Sequence, residues 1–293
     1  MRARILSPVA LLPGTALALA LLASSGQAQT PPSPSVPADA AASLRSGRGY
    51  IATPVFSAED DRRLLALFEG LRVADATDGM DAVGLPGVGL MDPELRPLWK
   101  DNQSYTHRFV GIAVTARYVP TQRAHAGQRS LEDYDRWSGD WYSRLSPEPF
   151  GELLRPGSAL VIDDAERAHV GSIGSNNILA WKLRGAVGVV TNATARDTDE
   201  IATERMPLYF RRPGRGIRPG RNEIESVNRP VVCGGVLVVP GDVVVADGDG
   251  VLVVPRSQAE AVARYARKIL EGDKKGRRGL YEKLGLPKDR SVE

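Results

Sequence analysis

The chain has 293 residues, 42% hydrophobic and 25% charged, which is typical of a globular protein and excludes a collagen-like, coiled-coil or wholly disordered chain. The 38 basic and 35 acidic residues give a net charge of +3, too small an excess to indicate a nucleic-acid binder. The single cysteine, Cys233, excludes an intrachain disulfide, and the three dispersed histidines do not form a zinc motif.

The first 28 residues have the layout of a secretory signal peptide. Two arginines precede a largely apolar stretch over 5–23, and Gly26-Gln27-Ala28 offers small residues before a cleavage point. An uncleaved membrane anchor is the alternative, but prolines and a glycine interrupt the apolar run, which is short for a stable span. We therefore expect an exported, periplasmic protein with no membrane segment after cleavage. Residues 29–49 are rich in Pro, Ala and Ser, which predicts a flexible linker.

Two helices and a strand are predicted next. Ser57 precedes three acidic residues and a series of spaced leucines, which predicts an N-capped helix over 57–71. A second short helix is predicted over 73–81, and the alternating, β-branched stretch 109–119 predicts a strand. The polar stretch at about 120–150 is interpreted as an insert, either a loop or a helix pair, whose Trp and Tyr side chains pack locally.

A βαβ-like unit follows the insert. A buried strand is predicted over 159–162 and a Gly- and Asn-rich loop over 171–177. A helix over 178–184 is closed by Gly185, and a second buried strand is predicted over 187–191.

The C-terminal third predicts mainly strands. An amphipathic helix is predicted over 257–270, capped by Ser257, and residues 272–293 form a basic tail that we expect to be loose. The apolar side of the predicted helix over 257–270 carries Ala261, Val262, Tyr265 and Ile269. The other predicted elements are a short helix after residue 197, a strand over 206–210, a basic loop over 211–221, and strands over 231–239, 242–246 and 251–254 joined by tight turns.

The loop that opens the helix of the βαβ-like unit is the first candidate site. It consists of Gly174, Ser175, Asn176 and Asn177. Backbone N–H groups at a helix N-terminus attract carboxylate or phosphate, and glycine permits a close approach. The alternative is that this loop is only a turn.

Arg196 and Asp197 form the second candidate site. They follow the strand predicted over 187–191, and ligands of α/β folds gather at the carboxyl ends of strands. Arg196 would bind an oxyanion there and Asp197 a hard metal ion. The alternative is a surface ion pair or a helix cap.

Two other motifs are excluded. Asp247-Gly248-Asp249-Gly250 superficially suggests a calcium loop, but Gln258 stands where an EF-hand needs Glu, so a hairpin turn is predicted. No G-x-G-x-x-G follows a predicted strand, so the sequence does not favour a nucleotide-binding methyltransferase.

Several segments resemble the RraA-like family, which includes the regulator of ribonuclease activity A and the metal-dependent 4-hydroxy-4-methyl-2-oxoglutarate aldolases. The resemblance runs from about residue 64 to 262 and is interrupted by the insert. The matching segments are VADATD (73–78), VGIAVT (110–115), RGAVGVV (184–190), ARD (195–197), NRPV (228–231) and GGVLVVPGDVVVAD (234–247).

The resemblance implies an α/β fold, a swivelling β/β/α sandwich with a central mixed sheet, over residues 50–271. By analogy with the aldolases, the backbone amides of 174–177 would bind the substrate carboxylate and Arg196 would contact the keto acid. Asp197 would hold Mg²⁺ or Mn²⁺. Family members are trimers or pairs of trimers, so a homotrimer or hexamer is expected.

The sequence departs from the aldolase pattern at two places. Aldolases of the family carry an acidic residue where this chain has Ser175, and an Asp-Gly pair where it has Asn192-Ala193. Asp197 is nevertheless present, whereas the ribonuclease-regulator branch usually lacks it. The first hypothesis is a lyase that cleaves a small 2-oxo acid to pyruvate, by decarboxylation of oxaloacetate or by retro-aldol cleavage. The alternatives are a non-catalytic RraA-type binding or regulatory protein and another enzyme activity at the same site.

Overall fold

The structure, a computed structural model, describes residues 51–124, 127–164 and 169–293. The predicted signal peptide and linker lie outside these residues. Within them, none of the helices combines the length and the apolar character needed to span a bilayer.

Helices and strands alternate through much of the chain. The helices are α1 (Ala58–Phe68), α2 (Val73–Ala82), α3 (Leu131–Arg144), α4 (Ser175–Leu183), α5 (Thr198–Thr203) and α6 (Ala259–Leu284). The strands are β1 (Arg96–Pro97), β2 (Phe109–Pro120), β3 (Ser158–Asp163), β4 (Gly171–Ile173), β5 (Ala186–Thr191), β6 (Thr194–Ala195), β7 (Leu208–Phe210), β8 (Arg212–Pro213), β9 (Asn222–Val227), β10 (Val231–Cys233), β11 (Val236–Val238), β12 (Val243–Asp247) and β13 (Gly250–Val254).

A mixed sheet of eight strands forms the centre of the molecule, in the order β1-β7-β5-β3-β2-β12-β13, with β9 paired to β2. Strands β2, β3, β5 and β7 are parallel to one another, whereas β12 pairs antiparallel with both β2 and β13. The long strand β2 organises the sheet because one of its edges pairs with β3 and the other pairs first with β12 and then with β9.

The two faces of the sheet are covered differently. In β3, Leu160 and Ile162 pack in a cluster with Ile178 of α4, whereas Ala159 and Val161 pack in another with Val231 of the β10–β11 hairpin. This division follows from the alternation of side chains along a strand. Hairpin, sheet and helices therefore form three layers, and the expected β/β/α sandwich is confirmed.

Helices α1, α2 and α6 cover the β12–β13 end of the helical face. Val243 and Val245 of β12 pack with Leu64 and Phe68 of α1 and with buried residues of α2 and α6. Ser57 caps α1 as predicted, since its hydroxyl accepts a hydrogen bond from the Asp60 N–H at 3.0 Å.

Three predictions about local structure were wrong, and one strand was missed. The predicted loop over 171–177 is mostly regular, because β4 occupies its first part and α4 begins at Ser175. The single strand predicted over 231–239 is a hairpin that turns at Gly234 and Gly235, both with positive φ. The described residues of the insert form one α-helix, α3, and enter a 3₁₀ turn over Pro149–Leu153, rather than forming a helix pair. No element was predicted where strand β9 lies.

The C-terminal helix also differs from its prediction. Ser257 does not cap it, because that residue lies in a 3₁₀ turn and α6 begins after Gln258 without a side-chain cap. Tyr265 and Ile269 are 41% and 37% exposed. The buried residues are Ala259, Val262, Ala263, Ala266 and Leu270. The helix continues to Leu284, so most of the basic tail is helical rather than loose.

Candidate functional site

The register of a small parallel sheet brings the two candidate sites together. Strands β4 and β6 pair so that Ile173 lies beside Ala195, and the Arg196 N–H donates to the Ile173 carbonyl at 2.8 Å. The residues that follow each strand must then be neighbours. Arg196 and Asp197 consequently lie beside Gly174, where α4 begins.

Asp197 lies across the N-terminus of α4. Its Oδ2 accepts a hydrogen bond from the Ser175 N–H at 3.3 Å. The residue has φ 56° and ψ 40°, a left-handed conformation that costs a non-glycine residue roughly 1 kcal/mol. Aspartate is among the residues that tolerate this conformation, and here it aims the carboxylate at a helix terminus that favours negative charge.

Two glycines make room for this arrangement. A Cβ atom at Gly174 would lie 2.7 Å from Asp197 Oδ2, and one at Gly171 would lie 2.8 Å from the Cβ of Arg196. Both separations are shorter than van der Waals contact. The sequence therefore needs glycine at both positions for Arg196 and Asp197 to approach this closely.

Arg196 and Asp197 face an open surface. Their side chains are 38% and 39% exposed, and Nε of Arg196 lies 3.8 Å from Oδ1 of Asp197. An ion pair this exposed is worth at most about 1 kcal/mol, so a ligand oxyanion can compete for the guanidinium. The pair is thus available to a ligand from solvent.

The first turn of α4 offers further backbone donors. The Gly174 N–H donates to Asn177 Oδ1 at 3.1 Å, and the Ser175 N–H is shared with Asp197. Helix geometry leaves the amides of Asn176 and Asn177 without an i−4 carbonyl inside the helix. These two amides are the ones placed to receive an anion beside Asp197.

A residue of the insert, Glu148, supports the helix that carries these amides. Its Oε1 accepts from Asn177 Nδ2 at 2.7 Å, and its Oε2 accepts from Trp181 Nε1 at 2.9 Å. Arg218, which is buried, pairs with the same carboxylate. The role of Glu148 was not predicted from the sequence, because nothing in the insert indicates which distant side chains Glu148 contacts.

The aromatic residues of the insert pack against each other, as predicted. The ring centroids of Tyr134 and Trp137 are 5.7 Å apart, as are those of Trp137 and Trp141. Trp141 is buried, and its Nε1 donates to the Asn222 carbonyl at 2.9 Å. These rings contribute to packing and not to the candidate site.

The donor set fits a weakly held hard cation. Carboxylate oxygen is the ligand that Mg²⁺ prefers, and Mg²⁺ keeps most of its water when one carboxylate binds it. Asp197 supplies such an oxygen at a solvent-facing position. In the part of the chain that the structure describes, no group of three or more His, Cys, Asp or Glu side chains could enclose a metal.

Acidic residues of α5 and its C-terminal end lie close to Asp197. Burial raises the pKa of Glu204 above its usual value, and the charges of Glu200 and Asp197 raise it further, against the opposing effect of Lys182. The three carboxylates therefore share one region of negative potential. A cation bound by Asp197 would reduce this repulsion.

The architecture and the site together define a layered β/β/α protein with a candidate anion and cation site at the carboxyl end of its parallel strands. A family model described as RraA-like (Aldolase/RraA) matches residues 73–253. The match covers more than half of the chain, and the chain belongs to the RraA-like family.

Two relatives that the chain resembles carry aldolase names. The chain is 33% identical over 134 residues to a putative 4-hydroxy-4-methyl-2-oxoglutarate aldolase of Halalkalibacterium halodurans, covering 44% of this chain and 61% of that protein. It is 31% identical over 102 residues to a 4-hydroxy-4-methyl-2-oxoglutarate aldolase of Thermus thermophilus, covering 34% of this chain and 60% of that one. The chain thus spans about three fifths of the length of these two relatives.

A solved structure shows the same fold. The crystal structure of Streptomyces coelicolor RraAS2, described as an unusual member of the RNase ES inhibitor RraA protein family, superposes with a TM-score of 0.59 at 24% identity. The match covers 76% of this chain and 99% of that one. At this identity the likeness concerns the fold.

Proposed function

We propose that this protein is a divalent-metal-dependent lyase that cleaves a small 2-oxo acid and releases pyruvate. The observation that carries the proposal is the placement of Asp197 and Arg196 beside the N-terminus of α4. A substrate of this class has a carboxylate and a neighbouring ketone, which match an amide-lined helix terminus and an adjacent guanidinium. The names of the relatives support the same substrate class.

The chain's own residues would bind and polarise the substrate. The backbone amides of 174–177 would hold the C1 carboxylate, with Asn176 and Asn177 contributing the N–H groups that have no helical partner. Arg196 would place its guanidinium at the keto oxygen. When the bond beyond C3 breaks, its electron pair becomes the enolate of pyruvate, and Arg196 would stabilise the negative charge on that oxygen.

Asp197 would be the protein ligand of Mg²⁺ or Mn²⁺. When bound, the ion supplies Lewis acidity at the keto oxygen, an effect worth several kcal/mol in the transition state. Because one carboxylate holds such an ion loosely, we expect exchangeable metal that a chelator removes.

Ser175 favours decarboxylation over aldol cleavage. Retro-aldol cleavage of 4-hydroxy-4-methyl-2-oxoglutarate requires a base to take the hydroxyl proton as the C3–C4 bond breaks. Decarboxylation of oxaloacetate requires none, since CO₂ leaves with no proton transfer and the enolate is later protonated from water. A serine hydroxyl is a poor base, so we propose oxaloacetate as the better of these two substrates.

The experiment is a pyruvate-release assay with both substrates. The full chain is stripped of metal with EDTA, and Mn²⁺ is then returned. The proposal expects turnover that disappears with EDTA and recovers with Mn²⁺, at a higher rate for oxaloacetate. Absence of turnover with both substrates contradicts the proposal and favours a non-catalytic RraA-type binding or regulatory protein.

We also propose an oligomeric state, on the basis of the family resemblance, and export to the periplasm, on the basis of the N-terminal sequence. A homotrimer or hexamer would bring a neighbouring subunit to the open Arg196–Asp197 surface, and light scattering of the purified protein tests this. Export to the periplasm would remove the first 28 residues, and N-terminal sequencing of the protein from a periplasmic fraction tests it.

A further inference from the structure

A second cavity lies at the other end of the central sheet. It has a volume of about 450 Å³ and lies between α6, the start of α2 and the residues that precede β2. Phe109, which lines it, begins β2, whereas Arg196 and Asp197 follow the carboxyl ends of strands parallel to β2. The two locations are therefore separated by the length of the strands.

We call this space the α6 cavity. Its lining is strongly basic. Arg72, Arg108, Lys274, Arg277 and Arg290 line it, and no Asp or Glu of the described residues does. The charged side chains that face the space are therefore all cations, and their potential attracts an anion.

The neighbouring carboxylates neutralise only part of this charge. Arg72 is held by Asp75 and by Asp273, at 2.9 Å from the latter. Hydrogen bonds from Ser291 lower the pKa of Asp289, and the charge of Arg277 lowers it further. With Asp75, Asp247, Asp273 and Asp289 counted against the five cations, an excess of positive charge remains at the cavity.

Two of the arginines contact neutral groups that leave their charge intact. Arg277 Nη1 donates to the Ser291 carbonyl at 2.8 Å, and Arg290 Nη1 donates to the Ser104 carbonyl at 3.4 Å. Both contacts fix the arginines at the cavity without an ion pair at these atoms.

Arg108 has a buried donor that nothing satisfies. Its guanidinium lies over the Tyr105 ring at 3.7 Å, and its Nε is buried with no hydrogen-bond partner in the described structure. An unsatisfied buried donor costs about 1–3 kcal/mol. A ligand oxyanion at Arg108 would remove this cost.

The cavity also has an apolar wall. Leu71, Phe109 and Leu270 line it beside the cations. Leu71 and Leu270 belong to the cluster beneath α6, so the wall is part of the core and its position is fixed. A ligand that fills the space therefore needs an apolar or planar body as well as its anionic group.

We propose that the α6 cavity binds a small organic phosphate that carries at least two negative charges and a planar or apolar body. Arginine matches phosphate geometry through paired N–H groups, and cavities that hold small ligands begin at about 300 Å³. Lys274, Arg277 and Arg290 lie beyond the segment matched by the family model, whereas Arg108 lies within it, so the C-terminal residues complete a cavity that the matched segment begins.

The test is calorimetric titration of the full chain with three probes: ADP, inorganic pyrophosphate and adenosine. ADP combines both required features, so we expect it to bind at least tenfold more tightly than pyrophosphate, with no detectable binding of adenosine. Lys274→Gln, on the surface of α6, is expected to weaken ADP binding about tenfold, a loss of about 1.4 kcal/mol. Arg108→Gln removes the unsatisfied donor and is expected to weaken ADP binding more than Lys274→Gln does.

Lys275→Gln is the matched control. Lys275 lies next to Lys274 in α6 but is exposed and does not line the cavity. It is expected to leave ADP binding within twofold of wild type. The proposal is overturned if ADP fails to bind at millimolar concentration, if pyrophosphate or adenosine binds as tightly as ADP, or if Lys275→Gln weakens binding as much as Lys274→Gln.

Discussion

The Asp197 carboxylate accepts a hydrogen bond from the Ser175 N–H, with 3.3 Å between Oδ2 and the amide nitrogen. The proposed metal ligand is therefore also an N-terminal partner of α4, and one of its oxygens is engaged at the helix. In the proposed complex, a substrate carboxylate would bind at the following amides of Asn176 and Asn177, or would displace Asp197 from Ser175. Either way, the proposed substrate and Asp197 would lie next to each other.

The left-handed backbone at Asp197 allows stability and function to be separated. In Asp197→Gly, relief of backbone strain offsets loss of the helix-terminal carboxylate, so the free energy of unfolding should change by less than about 1 kcal/mol. Pyruvate release should nevertheless be lost. Urea denaturation and the release assay measure the two effects. If Asp197→Gly retains pyruvate release, Asp197 has no role in turnover.

Replacement of Ser175 by an acid tests the proposed preference between substrates. Ser175→Asp supplies the carboxylate that family aldolases carry, and general-base catalysis is worth about 10²-fold or more when well placed. We expect retro-aldol cleavage to rise by at least about tenfold in Ser175→Asp with Mn²⁺, while decarboxylation changes much less. Ser175→Asn is the uncharged control. An equal change in both activities would refute the preference.

Glu148 should contribute to stability and to the position of α4. Glu148→Gln leaves the buried Arg218 without its carboxylate partner, and loss of one member of such a pair costs about 3 kcal/mol. We expect a lower urea midpoint and a raised KM for the 2-oxo acid, because Asn177 loses its support. Glu152→Gln, at an exposed acid four residues further along the chain, is the control and should change neither quantity. Unchanged stability in Glu148→Gln would show that these contacts are unimportant.

The single thiol should be unreactive in the folded protein. Cys233 is buried, and burial raises its pKa to about 12, so almost no thiolate exists at pH 8. We expect a thiol reagent such as dithiobis(nitrobenzoic acid) to modify Cys233 only after denaturation. Mass spectrometry before and after addition of guanidinium measures this. Rapid modification of the native protein would show that the β10–β11 hairpin opens readily.

The predictable parts of the fold are those decided by local sequence. Ser57 and its acidic neighbours specify the start of α1, and alternation specifies β2. The grouping of Gly174 with Arg196 and Asp197 was predicted by family resemblance, and the β4–β6 register explains it physically.

The parts that failed depend on distant contacts. The turn at Gly234 and Gly235 is the exception, because two glycines between β-branched runs are a local hairpin signal that the strand predicted over 231–239 overlooked. Helix α6 continues through a basic segment although that segment contains three glycines. The Glu148 contacts join residues about 30 positions apart, and the α6 cavity forms only when both ends of the domain meet. Periodicity and motif spacing carry no information about contacts between residues that are far apart in the sequence.

The most direct test of the central claim compares Asp197→Asn with Asp199→Asn in the pyruvate-release assay with oxaloacetate and Mn²⁺. Both variants remove one negative charge from the same segment, and asparagine tolerates the left-handed backbone at position 197. The account predicts at least a hundred-fold loss for Asp197→Asn, the scale of a lost transition-state charge contact, with Asp199→Asn near wild type. Equal rates for wild type and Asp197→Asn would contradict it.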